Sequence, residues 1–396
     1  MNNKLNLIFD FNNMAMRALF TCSYMGEGSV STFDTDEECG VLIRKIATDM
    51  AYVLRIFSPN RVIVACDAKH PWRNELYDPA EEETYKGTRV KDNTKNWDKI
   101  WEALNDYKTI LKKRGFIVTE LPNAEADDVA ALWKNKLYTE DCENIVLVSS
   151  DKDWVQLVDF DGFCSKSFCV CFNPIANNKG QKKLYINSAI EEWLNKQSPA
   201  DIFFNNYNPI KDTIKNIKNK DPKINYEIVD SNMVVLEKIM CGDDGDNVPS
   251  FYQFYKNGKK TRITPTKAKK IFEDLNISTV KDLCEAEEAN ALGPKIESVM
   301  KKTLDDIDIQ ERLLRQRKLV ELDVSLFPQE ICNTFKYHTD NEESSGYIQT
   351  DSIKFDTILK DTKYCSADYN KPKENKIFDN LKDLDKYIKP INSALF

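Results

Sequence analysis

Short apolar runs rich in β-branched residues alternate with helical periodicity through the first half of the chain. The runs are residues 5–9, 62–66, 116–118 and 145–148. Between them, apolar positions at helical spacing such as Val129, Leu132, Trp133 and Leu137 predict βα units around a mostly parallel sheet flanked by helices. Further along, a helix is predicted over residues 186–194, an apolar stretch covers 233–240, and helical periodicity returns at 307–322 and 377–388. The polar stretch 339–345 reads as a loop. The pattern divides the chain into an α/β part, residues 1–250, and a helical part, residues 251–396.

The strand-like runs end in acids. Asp10 follows 5–9, Asp67 follows 62–66, and Asp151 follows 145–148 by way of Ser149 and Ser150. Run 116–118 leads through Leu121 to Glu125-Ala126-Asp127-Asp128. Ligands of open α/β sheets bind outside the carboxyl ends of the strands, so these acids are expected in one crevice. Acids also favour a first helical turn through the helix dipole, which for 125–128 alone would be explanation enough. Their recurrence outweighs it, because Asp151-Lys152-Asp153 closes another strand and Gly242-Asp243-Asp244-Gly245-Asp246-Asn247 follows 233–240. That many carboxylates in a partly desolvated cleft repel one another unless cations sit among them. Donor sets made only of oxygen select hard ions, Mg²⁺ with Mn²⁺ as a substitute, and there are carboxylates enough for two. An aspartyl-phosphate phosphatase would want an Asp at position 12, which is Asn, and no P-loop pattern is present.

Composition narrows the class. The 396 residues are 41% hydrophobic and 30% charged, within the globular range. No apolar run approaches the roughly 20 residues of a membrane span. The first ten residues lack a signal peptide, so a cytoplasmic protein without membrane contact is expected. Eleven cysteines form no CxxC pair and read as reduced thiols. Cys164, Cys169 and Cys171 cluster, but His70 and His338 are remote in sequence and the spacing is not that of a zinc site, so the cluster reads as structural. The net charge of -8 argues against coating of nucleic acid by global charge, yet two segments are basic: Lys86 to Gly115 holds nine bases against four acids, and Tyr255 to Lys270 seven against none.

The ordered set Asp10; Asp67 followed by Trp72-Arg73 and Tyr85-Lys86-Gly87-Thr88-Arg89; Ala124 to Asp128; Ser149 to Asp153; and Gly242-Asp243 with Asp246-Asn247 resembles the flap-endonuclease family of structure-specific 5′ nucleases. Within it the chain is most similar to the bacteriophage ribonuclease H type, a 5′ to 3′ exonuclease that removes RNA primers. The resemblance is good over about residues 1–160 and looser over 232–330. It implies a PIN-like core with a helical arch at about 68–124, and a helical C-terminal domain with a helix-three-turn-helix duplex clamp. It further implies that Asp10, Asp67, Glu125 and Asp127 surround a first metal and Asp151, Asp153, Asp243 and Asp246 a second, with Asp128 in support. Lys86 and Arg89 would bind the scissile phosphate beside the catalytic Asp67 and Asp151, Tyr85 would stack on a displaced base, and Arg73 would contact a phosphate. Lys259, Lys260, Arg262, Lys267, Lys269 and Lys270 would grip duplex. For any one of these bases, and for Tyr85, a solvated or packing role is the alternative.

The sequence departs from the family in lacking the paired glycines of the clamp, with Gly258 upstream, and in a long interval before Asp243. Residues 180–230 of that interval read as an insertion. Implied partners are nicked or branched DNA and RNA–DNA hybrid with a free 5′ end, with a single-strand-binding protein or sliding clamp as protein partner, and monomer is the default. Two other readings compete: a catalytically silent DNA-junction scaffold, and a PIN-like ribonuclease, which would need neither the basic 256–270 segment nor the insertion after Asp67.

Overall fold

The computed structural model describes residues 4–24, 32–77, 84–89, 92–160, 167–195, 209–257, 259–304 and 308–342. Its centre is a sheet built from β1 (Leu5–Asp10), β2 (Arg61–Cys66), β3 (Ile117–Glu120), β4 (Asn144–Val148), β5 (Asp159–Phe160), β6 (Phe168–Asn173), β7 (Lys182–Ile186) and β8 (Ile224–Ile228). The order is β3-β2-β1-β4-β6-β7-β8, with β5 paired to β6. The pairs from β3 to β6 along this order are parallel, as is β7 with β8, while β6 runs antiparallel to β5 and β7. β1 and β4 are buried along their whole length, as central strands covered on both faces must be.

Alternation of side chains sorts the strands into two apolar faces. Leu7, Phe9, Val64 and Val146 pack on α1 (Phe11–Tyr24), α2 (Asp36–Phe57) and α3 (Trp97–Lys113). Ile8, Ile63, Ile145 and Leu147 pack on α4 (Ala126–Lys134) and on Phe327, Ile331 and Phe335 from the C-terminal side. α2 is started by a reciprocal capping box between Thr35 and Glu38 and stopped by Ser58 in the left-handed conformation. The chain goes from β1 to β2 to β3 in one direction, then returns to β4 on the other side of β1. That reversal opens the crevice between the carboxyl ends of β1 and β4.

Two regions are organised differently from expectation. Within the expected arch, residues 97–113 are α3 and residues 117–120 are β3; Ile100, Leu104, Tyr107 and Leu111 are buried in the core, so this part belongs to the central α/β layer. Within the expected insertion, β7 and β8 extend the central sheet, with α5 (Ser188–Asn195) and α6 (Pro209–Lys220) between them. Leu184 and Ile186 carry strand alternation into the core, so this segment is more than a surface elaboration.

A third apolar cluster joins α7 (Ser231–Cys241) to α8 (Pro265–Leu275), α9 (Val280–Glu288), α10 (Leu292–Met300) and α11 (Ile309–Val320). It therefore begins before residue 251. Between α7 and α8 lies an antiparallel hairpin, β9 (Gln253–Lys256) and β10 (Lys259–Arg262), in place of the paired-glycine turn. The stretch 339–342, expected as loop, is the last turn of α12 (Gln329–Glu342): Ile331, Phe335 and buried Thr339 repeat every four residues on its inner side. The 377–388 helix, Cys164, Gly258 and residues 343–345 lie outside the described residues.

Candidate metal and nucleic-acid site

Asp10 ends β1 at the reversal point and is buried. Ser149, just past β4, donates through Oγ to its Oδ2 at 2.7 Å, and the Asn13 N–H to its Oδ1 at 3.0 Å. Asp67, just past β2, accepts from the Ala126 N–H at 2.7 Å, an orphan donor at the start of α4. Asp127 lies in the first turn of α4 and accepts from Trp154 Nε1 at 2.6 Å. The Asp151 N–H donates to Ser149 Oγ at 3.0 Å, which ties its loop to the Asp10 pair.

These four carboxylates feel one another. Burial, and next the Asp67 charge, push Asp10 up to about 7, with Asp151 adding to the shift. Burial and then Asp151 push Asp127 well above the usual carboxylate range. Asp67 is raised by burial, with Glu125 adding to it against the Ala126 bond. Carboxyl groups raised in this way, by burial first and by one another second, lie where a bound cation is favoured. All-oxygen donors in such a place fit a hard divalent ion.

The remaining expected ligands are held differently. Glu125, at the N-cap of α4, accepts from the Lys86 ammonium, from Arg73 Nη1 at 3.1 Å and from Tyr85 OH at 2.9 Å. Burial alone would raise Glu125, but Lys86 and Arg73 hold it below its ordinary value. Asp246 pairs with Arg89 and, at 3.6 Å, with Lys86. On the other side the Lys238 ammonium lies between Asp153 and Asp243, 2.6 Å from Asp243 Oδ2. Burial still outweighs Lys238 at Asp153, which stands at about 7, whereas at Asp243 burial is overcome by the bond and charge of Lys238 together with the N–H groups of Gly245 and Asp246, and the carboxyl is lowered.

Lys86 and Lys238 thus each pair with acids of the two expected four-carboxylate shells. Among the described residues no group of three or more His, Cys, Asp or Glu side chains is placed to hold one ion. Lys238 was missed. Its signal was a single base in the apolar run Met233-Val-Val-Leu-Glu-Lys-Ile-Met240, five residues before Asp243.

Arg73 and Tyr85 need correction. Arg73 is 2% exposed and cannot reach a backbone phosphate; it pairs with Glu125 and with Asp128 at 2.8 Å, while its Nε donates to the Leu319 carbonyl. Tyr85 is buried against Tyr77 with its hydroxyl on Glu125, so its ring is not free to stack on a base. Asp128 is fully buried and accepts from the Glu125 N–H and Trp72 Nε1, each at 3.0 Å, so it braces Glu125 from behind.

Residues 84–89 form turns rather than a helix and are docked on the acidic loop after α7. The Lys86 N–H donates to the Asp246 carbonyl at 2.8 Å and Asn247 Nδ2 to the Thr84 carbonyl at 2.9 Å. Lys86 and Arg89 thereby lie over the acids. In the other basic segment, Arg262 is held by Asp244 and Lys267 Nζ by the Arg262 carbonyl, and Lys269 pairs with Glu273 at 3.8 Å; Lys259, Lys260 and Lys270 are exposed. Cys169 and Cys171 are buried free thiols on β6, in line with a structural role.

No helix among the described residues is long and apolar enough to cross a membrane. Residues 5–186 match the family model described as the 5′-3′ exonuclease, N-terminal resolvase-like domain. DNA polymerase I of Streptococcus pneumoniae serotype 4 is 29% identical over 162 residues, 40% of this chain and 17% of that protein. DNA polymerase I of Lactococcus lactis subsp. cremoris is 32% identical over 114 residues, 28% of this chain and 12% of that protein. The chain thus spans under a fifth of the length of these relatives. Among solved structures, the T5 5′-exonuclease with zinc bound has a TM-score of 0.48 at 18% identity, covering 85% of this chain and 99% of that one. The catalytic core of Rad2 with a DNA substrate has a TM-score of 0.38 at 11% identity, covering 86% and 92%. Over residues 5–186, where four of the five acidic motifs lie, the chain is similar to the N-terminal resolvase-like domain of 5′-3′ exonucleases.

Proposed function

We propose that the chain is a structure-specific 5′ nuclease that hydrolyses phosphodiesters in nicked or branched DNA and in RNA–DNA hybrids with a free 5′ end. In this reading it removes RNA primers and 5′ flaps during phage DNA replication, using two Mg²⁺ ions with Mn²⁺ as a substitute, and works as a monomer in the cytoplasm. The observation that carries the reading is the gathering of Asp10, Asp67 and Asp127 at the reversal point of the sheet, each raised by burial and by neighbouring carboxylates. Divalent ions bound there would activate the attacking water and offset charge on the scissile phosphate.

The chain's own part is to place and neutralise. Ser149 and Asn13 fix both oxygens of Asp10, and Ala126 fixes Asp67, so the site keeps its geometry before substrate arrives. Lys86 and Arg89 exchange their carboxylate partners for the phosphate of a bound strand and stabilise charge as the bond breaks. Lys269 and Lys270, exposed on α8, grip duplex phosphates irrespective of sequence, so junction shape decides specificity.

A catalytically silent junction scaffold is the second reading, favoured by Lys86 and Lys238 standing among the acids. A time course on 5′-labelled nicked, flapped and RNA-primed duplexes with Mg²⁺ separates the two. Short 5′ products from the wild type and none from Asp151→Asn support the nuclease. Junction binding without product in Mg²⁺ or Mn²⁺ supports the scaffold.

A further inference from the structure

The β9–β10 hairpin stands on a fixed base. The Phe251 N–H donates to the Met240 carbonyl at 3.0 Å, and the Ile263 N–H to Ser250 Oγ at 3.1 Å. Tyr252 OH donates to the Thr303 carbonyl at 2.8 Å, and Arg312 Nη1 to the Phe251 carbonyl at 2.8 Å. The far half is bare: Tyr255 is 73% exposed, and Lys256, Lys259 and Lys260 are exposed beside it.

The register gives each side chain a face. Tyr255 is opposite Lys260, and two positions along the same face Gln253 is opposite Arg262. Arg262 holds Asp244, next to Asp243, so the face bearing Tyr255 starts at the acidic loop. On the other face Lys256 is directly opposite Lys259. Like charges in that position destabilise a two-stranded ribbon. Among the described residues neither lysine has a carboxylate partner to relieve the repulsion, so an anion with repeated charges would relieve it.

The exposed ring narrows the anion. In a duplex the base faces are covered by their neighbours, so a tyrosine projecting into solvent meets a base face only where bases are unpaired. We propose that the β9–β10 hairpin is a stacking platform for single-stranded nucleic acid. Tyr255 packs on an unpaired base, Lys260 takes a phosphate on the same face, and Lys256 and Lys259 take phosphates on the other. This deepens the nuclease reading, on which it rests for the nature of the polyanion, and leaves the duplex to the lysines of α8.

Fluorescence anisotropy with the full chain in EDTA, where nothing is cut, tests it on a short labelled DNA single strand and a blunt duplex. Tyr255→Ala is expected to weaken single-strand binding about tenfold and leave the blunt duplex unchanged, with Tyr255→Phe binding as the wild type. Lys256→Gln with Lys259→Gln is expected to reduce the slope of log K against log salt on the single strand by about 1.4. An equal loss on both DNAs, or no loss on the single strand, overturns the platform while the nuclease reading stands. A wild-type chain that binds neither DNA at low salt overturns both.

Discussion

Arg73 and Leu319 lie 246 positions apart, and the guanidinium Nε of the first donates to the carbonyl of the second at 3.1 Å. The rest of the fork serves Glu125 and Asp128, so one buried cation joins the end of α11 to the start of α4. Removing it would leave two buried carboxylates without their partner. Arg73→Met is therefore expected to cost about 3–5 kcal/mol in urea unfolding. Arg73→Lys keeps the charge but not the fork and should lose less. If Arg73→Met unfolds at the wild-type urea concentration, the guanidinium does not join the two parts.

The metal-free protein should grow more stable as pH falls from about 8 towards 4. Asp10 and Asp153 each stand at about 7 in the fold against 3.8 ordinarily, and Asp67 and Asp127 are raised too. A carboxyl raised by folding takes up its proton more readily in the folded state, so its contribution is complete below the unfolded value and lost as pH rises through the folded one. The groups held low, such as Asp92 and Asp282 at about 2, act only below that window. Thermal melts in EDTA across pH 4–8 read the slope, and Asp10→Asn should flatten it. Saturating Mg²⁺ should weaken or reverse it, since the ion competes with the protons.

How the strands end was legible because a short apolar run closing in Asp is a local pattern: Asp10 and Asp67 each sit where such a run stops, and Asp151 lies two serines beyond one. What could not be read was which acid meets which base. Arg73 looks like any base beside an aromatic until folding brings Leu319 and Asp128 to it, and Lys238 is a single base in an apolar helix until Asp153 arrives from 85 positions away. Tyr85 was misjudged for the same reason, its hydroxyl partner Glu125 lying 40 positions on. The strands β7 and β8 are hidden by their lysines and asparagines: in β7 Leu184, Tyr185 and Ile186 are buried in succession on both faces, and in β8 Ile224 alone is buried, so neither strand alternates.

Lys238 offsets Asp153 and Asp243 in the metal-free protein. Lys238→Met should lower the melting temperature in EDTA, because the half-buried Asp153 would lose its partner. With two carboxylates released, the rise in melting temperature on adding Mg²⁺ should be larger than in the wild type. Thermal melts with and without Mg²⁺ give both numbers. A smaller rise in the variant would show that Lys238 supports the ion site rather than standing in for a cation.

Gly242 ends α7 with φ of 74°, and a Cβ there would lie 2.3 Å from the Val248 carbonyl oxygen and 2.6 Å from the Pro249 carbonyl. Both neighbours are backbone, so neither can rotate aside, and the left-handed angle adds strain for any other residue. The turn they enclose is closed by Asp243 and Val248, which exchange N–H to carbonyl bonds at 2.9 and 2.7 Å. Gly242→Ala is thus expected to cost more than about 1 kcal/mol, read as a lower urea midpoint. Its effect should reach beyond stability, because the same turn carries Asp243 to Lys238 and Asp246 to Arg89. Cleavage of a flapped duplex should fall even where the variant is fully folded. Full cleavage by a folded variant would mean that the acids of this loop take no part in the reaction.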